Sequence, residues 1–316
     1  MELQNPIYHI PALLKESIDL LDVKPSGTYV DVTFGGGGHS REILRRLGPD
    51  GRLFSFDRDI DALQNVPDDP RITFIHSDYR FIRNFLRYHG VRKVDGIMAD
   101  LGVSFHHFDT PERGFSFRSD APLDMRMNRS GGRTAAEIIQ DIDARSLSGV
   151  FRAYTDLRRP GDVAAAIISA RDKAPVDTTF RLSEAVEPTL SPKNLKKDLA
   201  QVFQAIRILT NREFESLQTL LSEAGGLLNK GGRFAVLTYH SGEDRMVKEL
   251  FRSGSPLGAD QDQNALIFGT KKSPWTPVTR SPILPSEEEI EQNPRSRSAK
   301  LRVATYGKVS NKDCQR

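Results

Sequence analysis

Apolar and polar positions alternate in two different rhythms along this chain. Near the N-terminus, Ile10, Leu13, Leu14, Ile18 and Leu21 share one helical face. A β-rich run from Thr28 follows, with Tyr29, Val30, Val32 and Phe34, and it enters four consecutive glycines, Gly35 to Gly38. Residues 39–48 then take a helical period. Residues 51–59 read as a second strand ending at Asp57, and residues 71–78 as a third. Residues 79–90 form an amphipathic helix closed by glycine, and residues 93–102 a fourth strand ending in Asp100. Repeated strand–helix steps of this kind predict an α/β fold with a parallel, doubly wound sheet.

The rhythm breaks after the fourth strand. Residues 103–123 are rich in Phe, His, Gly, Pro and Arg, the composition of a functional loop. From 134 to 228 the period is helical, interrupted by polar and proline breaks. Thr210 and Glu213 stand at capping-box spacing and predict a helix start there. Strand pattern returns at 231–241 and a helix at 242–252. A Ser/Pro-rich stretch at 253–285 reads mostly as loop, and residues 299–306 as a last strand. The expected organisation is one α/β domain split by a helical insertion, with segments 1–105, 106–228 and 229–316. Such an insertion is expected over the carboxyl edge of the sheet, where open α/β folds bind ligands.

Composition narrows the class. The chain has 316 residues, 38% hydrophobic and 28% charged, as in a soluble globular protein with a buried core. No apolar run approaches the roughly 20 residues that span a bilayer. The N-terminus lacks a basic, apolar leader, so a cytoplasmic location and no membrane partner are expected. The single cysteine, Cys314, excludes an intrachain disulfide and a thiolate zinc site, and no metal is expected. Net charge is only +3, yet residues 271–316 carry ten Lys/Arg against five Asp/Glu. A basic end on a near-neutral body suits phosphate contact, or is a solvated tail.

Candidate chemistry gathers where the predicted strands end. Glycines let a ligand lie against the main chain, and the following helix start offers free N–H groups. From Gly35 the pattern runs G-x-G-x-x-S, lacking the third glycine of the dinucleotide fingerprint, so a plain flexible turn stays open. Asp57 lies about 20 residues beyond, where a carboxylate accepts both hydroxyls of a ribose; it also suits a strand-end cap. Asp31, Asp78, Tyr79 and Asp100 complete the set. Three strand-end aspartates would also suit magnesium, but the turn lacks the lysine and hydroxyl of a phosphate-binding loop. A hydride-transfer enzyme would need a second mononucleotide unit where this chain has helices and basic loops.

Several blocks together resemble a known family: DVTFGGGGHS from Asp31, DRD from Asp57, DGIMADLGVS from Asp95, ERGFSFR from Glu112, PLDMRM from Pro122, FQAIRI from Phe203, GGRFAVLTYHSGEDRMVK from Gly231 and NPRSRSAKLR from Asn293. They are similar, in order, to those of the bacterial ribosomal RNA small subunit methyltransferase H family, also called MraW. The resemblance implies a class I S-adenosylmethionine-dependent methyltransferase fold, a Rossmann-like sheet with an inserted helical domain. It implies methylation of the N4 amine of a cytosine in the decoding centre of 16S ribosomal RNA, with the small ribosomal subunit as partner. A homodimer is allowed but not required. S-adenosylmethionine contacts are then expected at Gly37, Gly38, His39, Asp57, Tyr79, Asp100 and His107. His107 stands where the family usually has glutamine, Phe105 replaces the second serine of DLGVSS, and Gly242 the leucine of SHSLED.

Asp100 is the expected positioning residue for the N4 amine. Phe105, His106, Phe115 and Phe117 are expected to stack on an extruded base, and Arg113, Arg118, Arg126, Arg295 and Arg297 to hold phosphates, against the alternatives of core packing and solvated charge. His240 and Glu243 suit either a general base or a strand-to-helix turn, where Ser241 can cap. A methyltransferase of a small molecule, protein or other RNA, a non-catalytic RNA-binding module and an NAD-dependent oxidoreductase are the competing readings.

Overall fold

The computed structural model describes residues 11–102, 108–258 and 273–307. In chain order these give α1 Leu14–Leu21, β1 Thr28–Asp31, α2 Gly38–Arg46, β2 Arg52–Asp57, β3 Ile72–His76, α3 Ile82–Tyr88 and β4 Val94–Asp100. There follow α4 Ala135–Asp141, α5 Ala144–Tyr154, α6 Pro160–Arg171, α7 Thr179–Val186, α8 Leu195–Asn211 and α9 Glu213–Leu227. Last come β5 Leu228–Thr238, α10 Ser241–Ser253, β6 Trp275–Pro277, α11 Glu287–Gln292 and β7 Lys300–Tyr306.

The strands join in the order β3-β2-β1-β4-β5-β7-β6. β1 to β5 pair in parallel, while β7 runs antiparallel to both β5 and β6. The sheet is therefore mixed at one edge, and its order is that of the class I methyltransferase fold. Side chains alternate between two cores, as a sheet covered on both faces requires. Val30, Phe54, Phe56, Ile97, Ala99, Phe234 and Val236 face one core with α3, α9 and α10. Tyr29, Leu53, Met98, Ala235 and Leu237 face the other with α1 and α2. Neighbouring β1 and β4 send the chain to opposite sides, so the crevice of the fold opens at their carboxyl ends.

The chain divides into two compact units. One is Met1–Gly102 with Glu215–Arg316, and the other is Val103–Phe214. The second unit has its own helical core, built on Leu147, Phe151, Ile167, Leu182, Val202 and Ile206. It closes at Phe214 rather than near residue 228. The apolar stripe of α9, Leu217, Leu220, Leu221, Ala224 and Leu227, belongs to the sheet's core instead.

Two local expectations are corrected. Thr210 caps nothing: it lies inside α8, where its hydroxyl donates to the Ile206 carbonyl at 2.8 Å. The helix breaks at Arg212, in the left-handed region at φ 51°, and Glu213 takes a two-pronged bond from Arg207 at 2.8 and 2.9 Å. A capping box does form at the start of α4, between Thr134 and Glu137. The stretch read as loop also contains β6, whose Trp275 pairs with Tyr306 of β7. Among the described residues no helix is long and apolar enough to cross a membrane.

Candidate functional site

The end of β1 is built to hold a tight turn. Asp31 is buried; its carboxylate accepts from the Ser40 hydroxyl at 2.6 Å and from the Thr33 amide at 3.1 Å. Ser40 in turn meets the Ser55 hydroxyl at 2.8 Å. Strand end, helix start and neighbouring strand are thereby tied together. Burial pushes the Asp31 carboxyl up to about 6.

Glycine is required in this turn at two places. Gly37 has φ +77°, and a Cβ there would stand 2.8 Å from the Phe34 ring. A Cβ on Gly38 would lie 2.2 Å from Pro11 Cγ. Above Gly35 the space is open, with nothing within 4 Å of a built Cβ. The turn is pinned from outside: Asn65 donates to the Gly35 carbonyl at 3.1 Å, and Arg41 reaches the carbonyls of Gly36 and Asn65. No pattern in the sequence marks Asn65 or Arg41 for this work.

Asp57 ends β2 beside the turn. One carboxylate oxygen accepts the Gly35 amide at 2.7 Å and the other the Asp59 amide at 2.8 Å. At the end of β3, Asp78 caps the turn that starts at Tyr79 and receives Arg58 at 3.0 Å and the Ser216 hydroxyl at 2.8 Å. Arg58 also lies 5.5 Å from the Tyr79 ring centroid.

Asp100 ends β4 and faces the same crevice. Its amide donates to the Thr33 hydroxyl at 2.6 Å. One carboxylate oxygen accepts the Tyr239 hydroxyl at 2.8 Å, and the other stands 3.7 Å from His39 Nδ1. Burial pushes Asp100 up to about 7, against the lowering effect of the Tyr239 bond; Asp31 and Glu243 repel its charge further. The side chain keeps 22% of its surface open, so water softens that rise. His39 is only 4% exposed and burial pulls it down to about 4, so it is neutral and makes no ion pair with Asp100. Its Nε2 has no hydrogen-bond partner among the described residues.

Gly37, Gly38, His39, Asp57, Tyr79 and Asp100 thus share the carboxyl end of one sheet. Asp57 and Asp100 keep part of their surface open there, with Asp31 buried behind them and the buried histidine neutral. Carboxyl groups at such a site complement a cation, and open space over glycine backbone suits a flat ligand lying on the main chain. An S-adenosylmethionine, with its sulfonium, sugar and adenine, fits this donor set.

The residues expected to face RNA fare differently. Arg113 is 1% exposed, and its guanidinium donates to the Arg126 and Met127 carbonyls at 3.0 Å. It holds the bend that places Met125 at φ 56°. Phe115 is 4% exposed in the core of the second unit. Both are core residues, which removes them from the RNA-facing set. Phe117 is half-buried, with its ring 5.5 Å from that of Phe203. Arg126 is neutralised by a two-pronged bond to Asp124 at 2.7 and 2.9 Å. Arg118 is exposed, as are Arg295 and Arg297 in the turn Pro294–Ser298. Phe105, His106 and His107 lie outside the described residues.

The motif beginning at Tyr239 is structural at its helix end. His240, rather than Ser241, is the N-cap of α10, accepting the Glu243 amide on Nδ1 at 3.4 Å. Glu243 is buried and reaches back to the Tyr239 amide at 3.0 Å. Asp244 is bound by Arg302 of β7 at 2.6 Å.

The chain is similar over most of its length to known proteins. The chain is 50% identical over 304 residues to the ribosomal RNA small subunit methyltransferase H of Bacteroides thetaiotaomicron, covering 96% of this chain and 99% of that protein. The Porphyromonas gingivalis protein of the same name is 51% identical over 304 residues, covering 95% and 97%. That of Christiangramia forsetii is 49% identical over 297 residues, covering 94% and 97%. The model of the MraW methylase family matches residues 6–306, and the chain belongs to that family.

Proposed function

We propose that this protein methylates the N4 amine of a cytosine in the decoding centre of 16S ribosomal RNA. The methyl donor is S-adenosylmethionine, which supplies a methyl carbon made electrophilic by its sulfonium sulfur. The observation that carries the reading is Asp100, a carboxylate at the end of β4, beside the glycine turn, in a crevice lined by acidic groups and a neutral histidine. In this reading the Gly37–His39 turn and Asp57 hold the donor's sugar and amino-acid parts, and Tyr79 lies along its adenine. The relatives are ribosomal RNA small subunit methyltransferases, and this supports the small-subunit RNA as substrate.

The chemistry asks little of the protein beyond placement. The N4 lone pair of cytosine is delocalised into the ring, so the amine is a weak nucleophile. Asp100 accepts a hydrogen bond from N4, draws its lone pair out of conjugation and takes the proton that N4 loses as the nitrogen–carbon bond forms. Holding N4 in line with the departing sulfur turns an encounter into an intramolecular step and supplies much of the rate. The target base is reached outside a stack, and exposed cations such as Arg118, Arg295 and Arg297 hold the flanking phosphates.

The test is transfer of labelled methyl from S-adenosylmethionine to small ribosomal subunits, naked 16S RNA, free nucleosides and protein, followed by nuclease digestion and mass spectrometry. N4-methylcytidine at one position in subunits or RNA is expected. Label only in protein or free nucleoside, or methyl on cytosine C5, overturns the proposal.

A further inference from the structure

Tyr239 is not used by the chemistry above, yet three features aim it at Asp100. Its hydroxyl donates to one carboxylate oxygen at 2.8 Å, across 139 residues of sequence. Its ring lies over Gly102, where a Cβ would stand 3.3 Å from the ring and where φ is +120°. Its backbone is fixed from behind by Glu243, whose carboxylate accepts the Tyr239 amide at 3.0 Å, and Glu243 is itself set by the cap of α10. Strand end, ring and helix start therefore leave the hydroxyl one direction to point.

We infer that Tyr239 is a positioning residue: its hydroxyl occupies one oxygen of Asp100, fixes the plane of the carboxylate and leaves the second oxygen to the target amine. Among the described residues that second oxygen has no hydrogen bond; His39 Nδ1 stands 3.7 Å from it, beyond bonding range. The proposal rests on the reading of Asp100 as acceptor for N4. It also gives the YHSGED block a purpose that neither a general base nor a plain helix cap supplies.

The charges around the pair fix its protonation. Asp100 is faced by Tyr239, the residue after β5, His39 from α2, Asp31 from β1 and Glu243 from α10; Tyr239 also feels Glu289 of α11. Burial and these carboxylates hold the Tyr239 hydroxyl well above its ordinary range, so it stays a donor at every working pH. Its bond favours the ionised form of Asp100. Without it, Asp100 keeps its proton to higher pH and is a poorer acceptor.

The test compares Tyr239→Phe, Asp100→Asn and the double variant. Phenylalanine keeps the ring over Gly102 and deletes one oxygen. Expected for Tyr239→Phe are a roughly tenfold loss of kcat, the equivalent of one net hydrogen bond, with KM for small subunits and Kd for S-adenosylmethionine within about twofold. The acid limb of the kcat profile should move to higher pH. In cofactor-free protein, the Asp100 carboxyl carbon followed by carbon-13 NMR should titrate at higher pH in Tyr239→Phe than in the parent. The double variant should be no slower than Asp100→Asn alone, since the tyrosine acts through the aspartate. Unchanged kcat and an unmoved Asp100 titration, with Asp100→Asn impaired, overturn the role of Tyr239 and leave that of Asp100 standing. Full turnover in Asp100→Asn sinks the acceptor reading instead. A Tyr239→Phe protein that fails to fold assigns the hydroxyl to stability and also overturns the inference.

Discussion

At the scale of single residues, the site's behaviour follows from two carboxyl groups that fold out of water. Asp31 rises to about 6 and Asp100 to about 7, both above the value of roughly 4 they have in an unfolded chain. Between pH 4 and 7 these two groups bind more protons in the folded protein than in the unfolded one, which lowers stability as pH rises; His39, held near 4 by burial, works the other way over the same window and offsets part of that fall. Thermal melts should show Tm declining from pH 4.5 to 7 on account of these groups. Asp100→Asn should flatten the upper part of that decline, and a slope identical to the parent's would show that Asp100 is not buried as described. Ligand charge is coupled to the same proton. A sulfonium favours ionised Asp100, so S-adenosylmethionine should bind more tightly at pH 8 than at pH 6. S-adenosylhomocysteine, which lacks that charge, should change less over the same range. Calorimetry at the two pH values checks the difference, and parallel behaviour of both ligands would separate Asp100 from the sulfonium.

At the scale of elements, the glycine turn is the part whose sequence and structure correspond most directly. Positive φ at Gly35 and Gly37 and the near approach of Pro11 to Gly38 demand residues without a Cβ. Gly37→Ala should lose about 1–2 kcal/mol of stability from the left-handed backbone alone, plus whatever the clash with Phe34 adds, and should weaken S-adenosylmethionine binding. Asp57→Ala removes the acceptor for the Gly35 amide and, on the proposed reading, a contact to the ligand's sugar. Its Kd should rise roughly tenfold to a hundredfold, the range for a lost bond to a charged group; an unchanged Kd would show that the carboxylate serves only the turn. The strands were legible because each alternates between two cores, and their acidic ends because a strand must stop where its pattern does. Tyr239 and Asn65 were not legible, since their partners are tertiary: 139 residues separate Tyr239 from Asp100. Arg113 and Phe115 were misread for a related reason. A loop rich in Arg and Phe looks like an RNA surface by composition, and nothing local says that a guanidinium will be buried on backbone carbonyls. Thr210 misled because capping-box spacing is also satisfied inside a continuous helix, and only the left-handed Arg212 sets the break.

At the scale of the molecule, charge is spent internally before any reaches a substrate. Arg126 is bound to Asp124, Arg207 to Glu213, and Arg302 and Lys300 to Asp244. The net charge is only +3, so weak, salt-sensitive attraction to RNA is expected from the body of the protein. The cations that do reach solvent should set the salt dependence of RNA binding, because each phosphate neutralised releases counterions. Arg118→Ala and Arg297→Ala should each lower the slope of log K against log salt by roughly 0.7, the single-strand value per contact, and weaken binding to all sequences alike. Arg126→Ala should leave the slope unchanged and instead lower Tm, because its charge is already matched by Asp124. Fluorescence anisotropy with a labelled 16S fragment between 50 and 300 mM salt, paired with thermal melts, separates the two classes. A slope that drops for Arg126→Ala but not for Arg118→Ala or Arg297→Ala would mean that RNA breaks the Asp124 pair on binding, and that exposure in the free protein is a poor guide to its phosphate ligands.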